Sequence, residues 1–263
     1  MNRRTLVLIS CALTASTATT AGAVGISLTT IGSAYTENFN SLANSGTTNV
    51  VVPSGWAFIE SGSNANTEYR AGTGSDTTGD TYSFGATGSS ERAFGTLQSG
   101  TLLPTIGAQF TNNTAAAITS LGISYSGEQW RAGVANRNAA DRLDFQLSVN
   151  ATSLTTGTWV DYNSLDFSSP NINTALGALD GNAALNRTAL SFLVSGLNVA
   201  NGSSFWIRWA SSDISGSDDG LAIDDFSLTP NGVPIPAVPE PGTLALLGLG
   251  LAGLGLSRRC KAA

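Results

Sequence analysis

The chain has 263 residues, 41% of them hydrophobic and 11% charged, with no histidine and a formal net charge of −6. All 18 acidic residues fall between Glu37 and Glu240, where only seven arginines and no lysine accompany them, leaving 11 net negative charges on that stretch. Such a field repels phosphate backbones and anionic head groups, so no nucleic-acid partner is expected, and the missing histidine removes Ser-His-Asp and Cys-His catalysis and histidine-ligated zinc.

The chain starts Met1-Asn2-Arg3-Arg4, runs into the apolar stretch 5–13 and closes on Ala21-Gly22-Ala23. A basic start, a short apolar run and an Ala-x-Ala site are the order of a secretory signal peptide, cut by signal peptidase, so residues 1–23 are expected to be removed. Leu8-Ile9-Ser10-Cys11 also fits a lipoprotein cleavage site, although the apolar run before Cys11 is shorter than the roughly 7 to 15 residues such regions have. The other cysteine is Cys260, so the exported part has no disulfide and depends on its core. About 200 residues are enough to bury one.

From residue 26 onward short alternating or β-branched runs recur between Gly, Ser, Asn and Thr clusters, with no capped helical period. Strands are expected over 26–31, 34–39, 56–60, 92–97, 106–110, 118–125, 143–149, 159–162, 190–194, 205–210 and 221–228. Long exposed loops are expected over 61–80, 133–141 and 168–186. Many short strands at this spacing predict an all-β fold: a single two-sheet antiparallel sandwich, jelly-roll and concanavalin-like, over residues 24–229.

Five prolines between Pro230 and Pro241 then mark a stiff linker, 230–241. It leads into the uncharged apolar segment 242–256, which is short of the roughly 20 residues of an upright membrane span. Arg258, Arg259 and Lys261 follow in the tail 257–263 and are expected to stay cytoplasmic. Val238-Pro239-Glu240-Pro241, the apolar segment and the arginine pair together resemble the PEP-CTERM sorting signal of Gram-negative bacteria that make extracellular polysaccharide. That resemblance implies an exosortase as partner, a transient inner-membrane anchor, and delivery to the cell surface or extracellular matrix.

In the last strand, alternation places Ala222, Asp224, Phe226 and Leu228 on one face, so a core-facing Phe226 would carry Asp224 inward with it. Near the start, Glu37 sits in the same way between Tyr35 and Phe39. If the first and last strands meet, Glu37 and Asp224 converge on one cation, calcium by its taste for hard oxygen ligands. The alternative is that Asp224 pairs with Arg208 or Arg131, or lies in water. The run Leu221-Ala222-Ile223-Asp224-Asp225-Phe226 is similar to the closing strand of MAM-like and carbohydrate-binding jelly-roll modules, and Glu37-Asn38-Phe39 to their opening. That similarity implies a structural calcium held by an early carboxylate and an aspartate of the pair.

Gly127-Glu128-Gln129-Trp130-Arg131 offers Trp130 as a glycan-stacking platform, or as a core residue beside a charge pair. The acidic loop 212–220 could hold a cation, or be a solvated turn. The expected function is a non-catalytic β-sandwich serving adhesion or binding of extracellular polysaccharide. A passive matrix protein and a glycoside hydrolase using two carboxylates are the alternatives.

Overall fold

The structure is a computed structural model that describes residues 25–136, 139–212 and 214–232. The expected signal peptide, apolar segment 242–256 and basic tail lie outside the described residues. In chain order the strands are β1 (Ile26–Leu28), β2 (Tyr35–Glu37), β3 (Trp56–Ser61), β4 (Arg70–Gly72) and β5 (Asp80–Phe84). Next come β6 (Ala93–Leu97), β7 (Leu103–Asn112), β8 (Ile118–Ala132), β9 (Arg142–Ser148) and β10 (Val160–Asp161). Then follow β11 (Phe167–Ser168), β12 (Gly177–Ala178), β13 (Arg187–Val199), β14 (Ser204–Ser212) and β15 (Gly220–Gly232). Among the described residues the one helical element is a 3-10 turn, Asn163–Leu165.

The strands form the expected two-sheet sandwich. One sheet runs β1-β7-β14-β9-β10, with β3 also on β7 and β11 also on β9. The other runs β12-β8-β15-β6-β5-β4, with β13 also on β8 and β2 also on β15. Alternation drives the pairing of the two sheets, since each turns one apolar face inward. Between them Trp209 meets Phe145 at 5.1 Å, Tyr125 at 5.3 Å and Phe226 at 5.8 Å, ring centroid to centroid, in edge-on contacts. Trp56 stacks on Trp209 at 6.0 Å. Such edge-to-face and offset geometries add to the area they bury.

The second sheet also covers its opposite face. Tyr82, Phe84 and Trp130 stack there at 4.7 and 6.1 Å, over Ala222. Two loops that were expected to be exposed close over this stack. Leu179 N donates to Trp130 O at 2.8 Å, and Gly181 has no side chain because a Cβ would stand 2.3 Å from Trp130 Nε1. The stretches 61–80 and 168–186 therefore contain the short strands β4 and β12 and take part in packing.

The last strand departs from regular alternation. Asp224 pairs with Ser126 and Ser227 with Ser124, so three steps along β15 match two along β8: one residue is inserted. Asp225 is that bulge, in the left-handed region with φ 50°. Leu221 and Ile223 face the core before it, Phe226 and Leu228 after it, and Asp224 turns to the opposite face with Ala222. The expectation that Asp224 shares a face with Phe226 and Leu228 is thereby overturned, because the inserted residue shifts the phase by one. The bulge also marks a change of neighbour, from β6, ending at Ile223, to β2, starting at Phe226. Past residue 229 the strand continues to Gly232 rather than entering the linker, since Pro230, Asn231 and, after a register shift, Gly232 still pair with Leu121, Ser120 and Ile118, and Pro230 O accepts Gly32 N at 2.8 Å.

Candidate functional site

Turned outward, Asp224 meets two other carboxylates. Glu91, just before β6, Glu128 on β8 and Asp224 on β15 each place a carboxylate oxygen within 4.8 Å of the other two. Two of them come from the paired strands β8 and β15 and the third from the lead into β6, the next strand in the sheet, and Glu128 sits opposite Ala222 in register. Glu128 is 0% exposed and Asp224 5%. Trp130 Nε1 donates to Glu128 Oε2 at 3.0 Å, and Asn182 Nδ2 donates to Glu91 Oε2. The counter-charge is Arg187, whose Nη2 lies 3.5 Å from Glu128 Oε1 and 3.2 Å from Asp225 Oδ2. Burial pushes Glu128 up to about 7 and Asp224 up to about 8, with the neighbouring carboxylates adding to both.

Glu37 is not one of this group. Its Oε1 accepts Phe39 N at 2.9 Å and its Oε2 accepts the Tyr35 hydroxyl at 3.2 Å. In register it stands opposite Phe226, and with Asp225 it lines a separate recess of about 400 Å³. The bulge thus gives Glu37 Asp225 as its neighbour and sends Asp224 to Glu91 and Glu128. Neither arginine considered for Asp224 reaches it. Arg131 Nη1 donates to Gly74 O at 3.1 Å, and Arg208 lies on the first sheet, 3.9 Å over the Trp159 ring.

Trp130 offers no face to a sugar. It is 2% exposed, stacked on Phe84 and tied through its indole N–H to Glu128, so it is the core residue of the two readings.

A different surface has the character of a ligand groove. At the end of the sandwich, residues 61–63, 98–103 and Ser211 enclose about 550 Å³ of open recess. Its lining is Ser, Gly, Thr, Gln and Leu with no charged group, on a strongly acidic chain. Gln98 is one of the lining residues, and Leu103 is exposed beside it. Sequence reasoning missed this groove, because serines and glycines in loops carry no pattern until two connections are brought side by side. The acidic loop 212–220 is bound into the fold instead: Asp219 Oδ1 accepts Gly133 N at 2.7 Å and Oδ2 accepts Ser169 Oγ at 2.6 Å.

The sorting residues lie outside the described residues and are tested by comparison with known families. Residues 237–259 match a family description. It is the PEP-CTERM protein-sorting motif. The match contains Val238, Pro239, Glu240, Pro241, Arg258 and Arg259 and ends before Lys261. The PEP-CTERM motif marks an exported surface protein processed by exosortase. No curated protein matches the chain.

Among solved structures the sandwich is similar to TmCBM61 in complex with beta-1,4-galactotriose, at 9% identity over 55% of this chain and 74% of that one, with TM-score 0.30. It is similar also to the K3 cleaved adhesin domain of Lys-gingipain from Porphyromonas gingivalis, at 10% identity over 67% and 93%, TM-score 0.38. A third likeness is to a carbohydrate esterase from the Shiga toxin-encoding bacteriophage phi24B, at 12% identity over 67% and 91%, TM-score 0.32.

Proposed function

We propose that this PEP-CTERM chain is displayed at the cell surface or in the extracellular matrix, where its sandwich is a non-catalytic module that binds neutral polysaccharide in an adhesive role. The observation that carries the reading is the uncharged groove around Gln98. A neutral sugar offers hydroxyl donors and acceptors plus an apolar ring face, and the groove supplies serine and threonine hydroxyls and the exposed Leu103. Charged polymers would gain nothing from such a lining, and anionic ones are repelled by the rest of the chain.

The carboxylates support a binder over a hydrolase. Hydrolysis needs two of them facing each other across an open sugar cleft. Here the three that converge, Glu91, Glu128 and Asp224, are buried or half-buried on the side of a sheet and do not line the groove. In this reading the apolar segment 242–256 anchors the chain temporarily in the inner membrane of a Gram-negative cell until exosortase acts at the motif.

The test is retention of the purified chain on extracted matrix polysaccharide and on arrays of neutral glycans, with Gln98→Ala and Thr101→Ala beside the wild type. Retention of the wild type with loss of about tenfold or more in the variants is expected, as a lost pair of well-placed polar contacts costs about 1.4 kcal/mol or more. Absence of any retention, or equal retention by both variants, refutes the groove as a polysaccharide site and leaves a passive matrix role.

A further inference from the structure

The Glu91–Glu128–Asp224 group has more charge than its surroundings answer. Glu91 Oε1, Glu128 Oε1 and Asp224 Oδ1 are buried oxygens that accept no hydrogen bond. Two of the three side chains are more than nine-tenths buried. Arg187 is the one arginine within ion-pairing distance of the group among the described residues. It is divided between Glu128, Asp225 and a hydrogen bond to Ser126 Oγ at 2.9 Å. One shared guanidinium set against three converging carboxylates leaves the group short of positive charge, and an uncompensated buried carboxylate is too costly to retain without a partner.

A cation held between the three oxygens supplies that partner. Two ligands on opposite sides of a calcium ion stand about 4.6 to 5.2 Å apart, given metal–oxygen distances of 2.3–2.6 Å, and the oxygens here lie within 4.8 Å of one another. All three donors are hard carboxylate oxygens, with no sulfur or imidazole, which selects calcium over zinc or copper. We propose that Glu91, Glu128 and Asp224 bind a calcium ion on the outer face of the second sheet. The ion joins β8, β15 and the lead into β6 at the point where the Asp225 bulge turns Asp224 outward. It acts as a staple on a chain whose exported part has no disulfide. The site is distinct from the polysaccharide groove, since Glu91 precedes β6 and Gln98 follows it.

Trp130 gives the site an optical reporter. Its indole N–H contacts Glu128 directly, so terbium in a calcium site there is within energy-transfer range of that ring. The purified full chain, stripped with chelator, is titrated with terbium under tryptophan excitation, then with calcium in competition, and its melting temperature is followed with and without calcium. One equivalent of sensitised terbium displaced by calcium is expected, with a calcium-dependent rise in melting temperature.

Glu128→Gln and Asp224→Asn should each weaken calcium binding by about tenfold or more, since affinity follows the number of charged ligands. Trp130→Phe should dim the terbium signal while calcium still raises the melting temperature. Glu37→Gln should leave both readouts unchanged. Glu91→Gln, at the half-buried member, replaces Glu128→Gln if that variant does not fold. No calcium binding overturns the proposal. Binding by magnesium in preference to calcium, or binding left intact in the Glu91, Glu128 and Asp224 variants, overturns it as well.

Discussion

Asp225 decides which way Asp224 points, and two substitutions there isolate the backbone contribution. Asp225 sits at φ 50° with its side chain 62% exposed and an ion pair to Arg187 at 3.2 Å. Replacing it by Gly or by Val removes the same ion pair, a surface interaction worth about 0 to 1 kcal/mol. The two variants then differ in the backbone alone. Glycine adopts positive φ without steric cost but gains about 0.5 to 1 kcal/mol of freedom in the unfolded chain. A β-branched residue is forced into a region that costs L-residues about 1 to 3 kcal/mol. Asp225→Gly should therefore stay within about 1 kcal/mol of wild type, and Asp225→Val should fall about 1 kcal/mol below Asp225→Gly, the steric cost less what glycine itself loses. For a domain of this size that difference is roughly 2 to 4 °C in melting temperature. Urea unfolding followed by tryptophan fluorescence measures it. A valine variant as stable as the glycine variant would mean that residue 225 has ordinary strand dihedrals. The bulge would then not exist, and Asp224 would return to the core face beside Phe226.

Two further outcomes follow from the packing and from a second buried carboxylate. Trp209 is fully buried against Trp56, Tyr125, Phe145 and Phe226, so Trp209→Ala should cost about 3 to 5 kcal/mol, read as a drop in the urea midpoint with unchanged slope; a loss under about 1 kcal/mol would contradict its place at the centre of the core. Burial pushes Asp80 up to about 6, against the pull of Arg70 at 2.5 Å and with a further push from Glu60. Its folded value lies above its unfolded one, so the native state holds the extra proton. This group's contribution is therefore present below about pH 4 and is lost as pH rises through about 6, by about 3 kcal/mol in all. Asp80→Asn should flatten the stability profile in that window; a profile as steep as wild type's would refute the assignment.

The strands legible in the sequence are those whose inward residues are large and apolar. Trp56, Phe110, Phe145, Phe205, Trp209 and Phe226 all fall in expected strands, and all lie in the core. The strands that were missed carry short or mixed runs. β4 and β12 have three and two residues among glycines, and β5 turns Tyr82 and Phe84 away from the main core, where no pattern predicts a second apolar layer. The far half of β8 was missed because Gly127, Glu128, Gln129 and Arg131 look like a polar connection. They are strand residues, and Glu128, Gln129 and Arg131 hydrogen-bond to Trp130, Asn171, Asp219 and the Gly74 carbonyl.

For the site, the sequence made Asp224 conspicuous and gave it the wrong companion. Alternation is a local rule, and one inserted residue reverses it for everything beyond. Asp225-Phe226 carries no local mark that the chain will bulge there, because the bulge is where β15 exchanges one neighbour for another. Glu91 and Glu128 stand 133 and 96 residues before Asp224 and meet it only through the strand order β8-β15-β6.

What the sequence by itself determined is what depends on order along the chain: the all-β class, from period-two runs, and the sorting segment, whose Pro-Glu-Pro, apolar run and arginine pair are read in line. What only the tertiary structure decided is what depends on neighbours across the sheets: the burial of Trp130, the uncharged groove around Gln98, and the meeting of three carboxylates. Local sequence sets a residue's strand and nominal face, whereas register, bulges and sheet order set what that face meets.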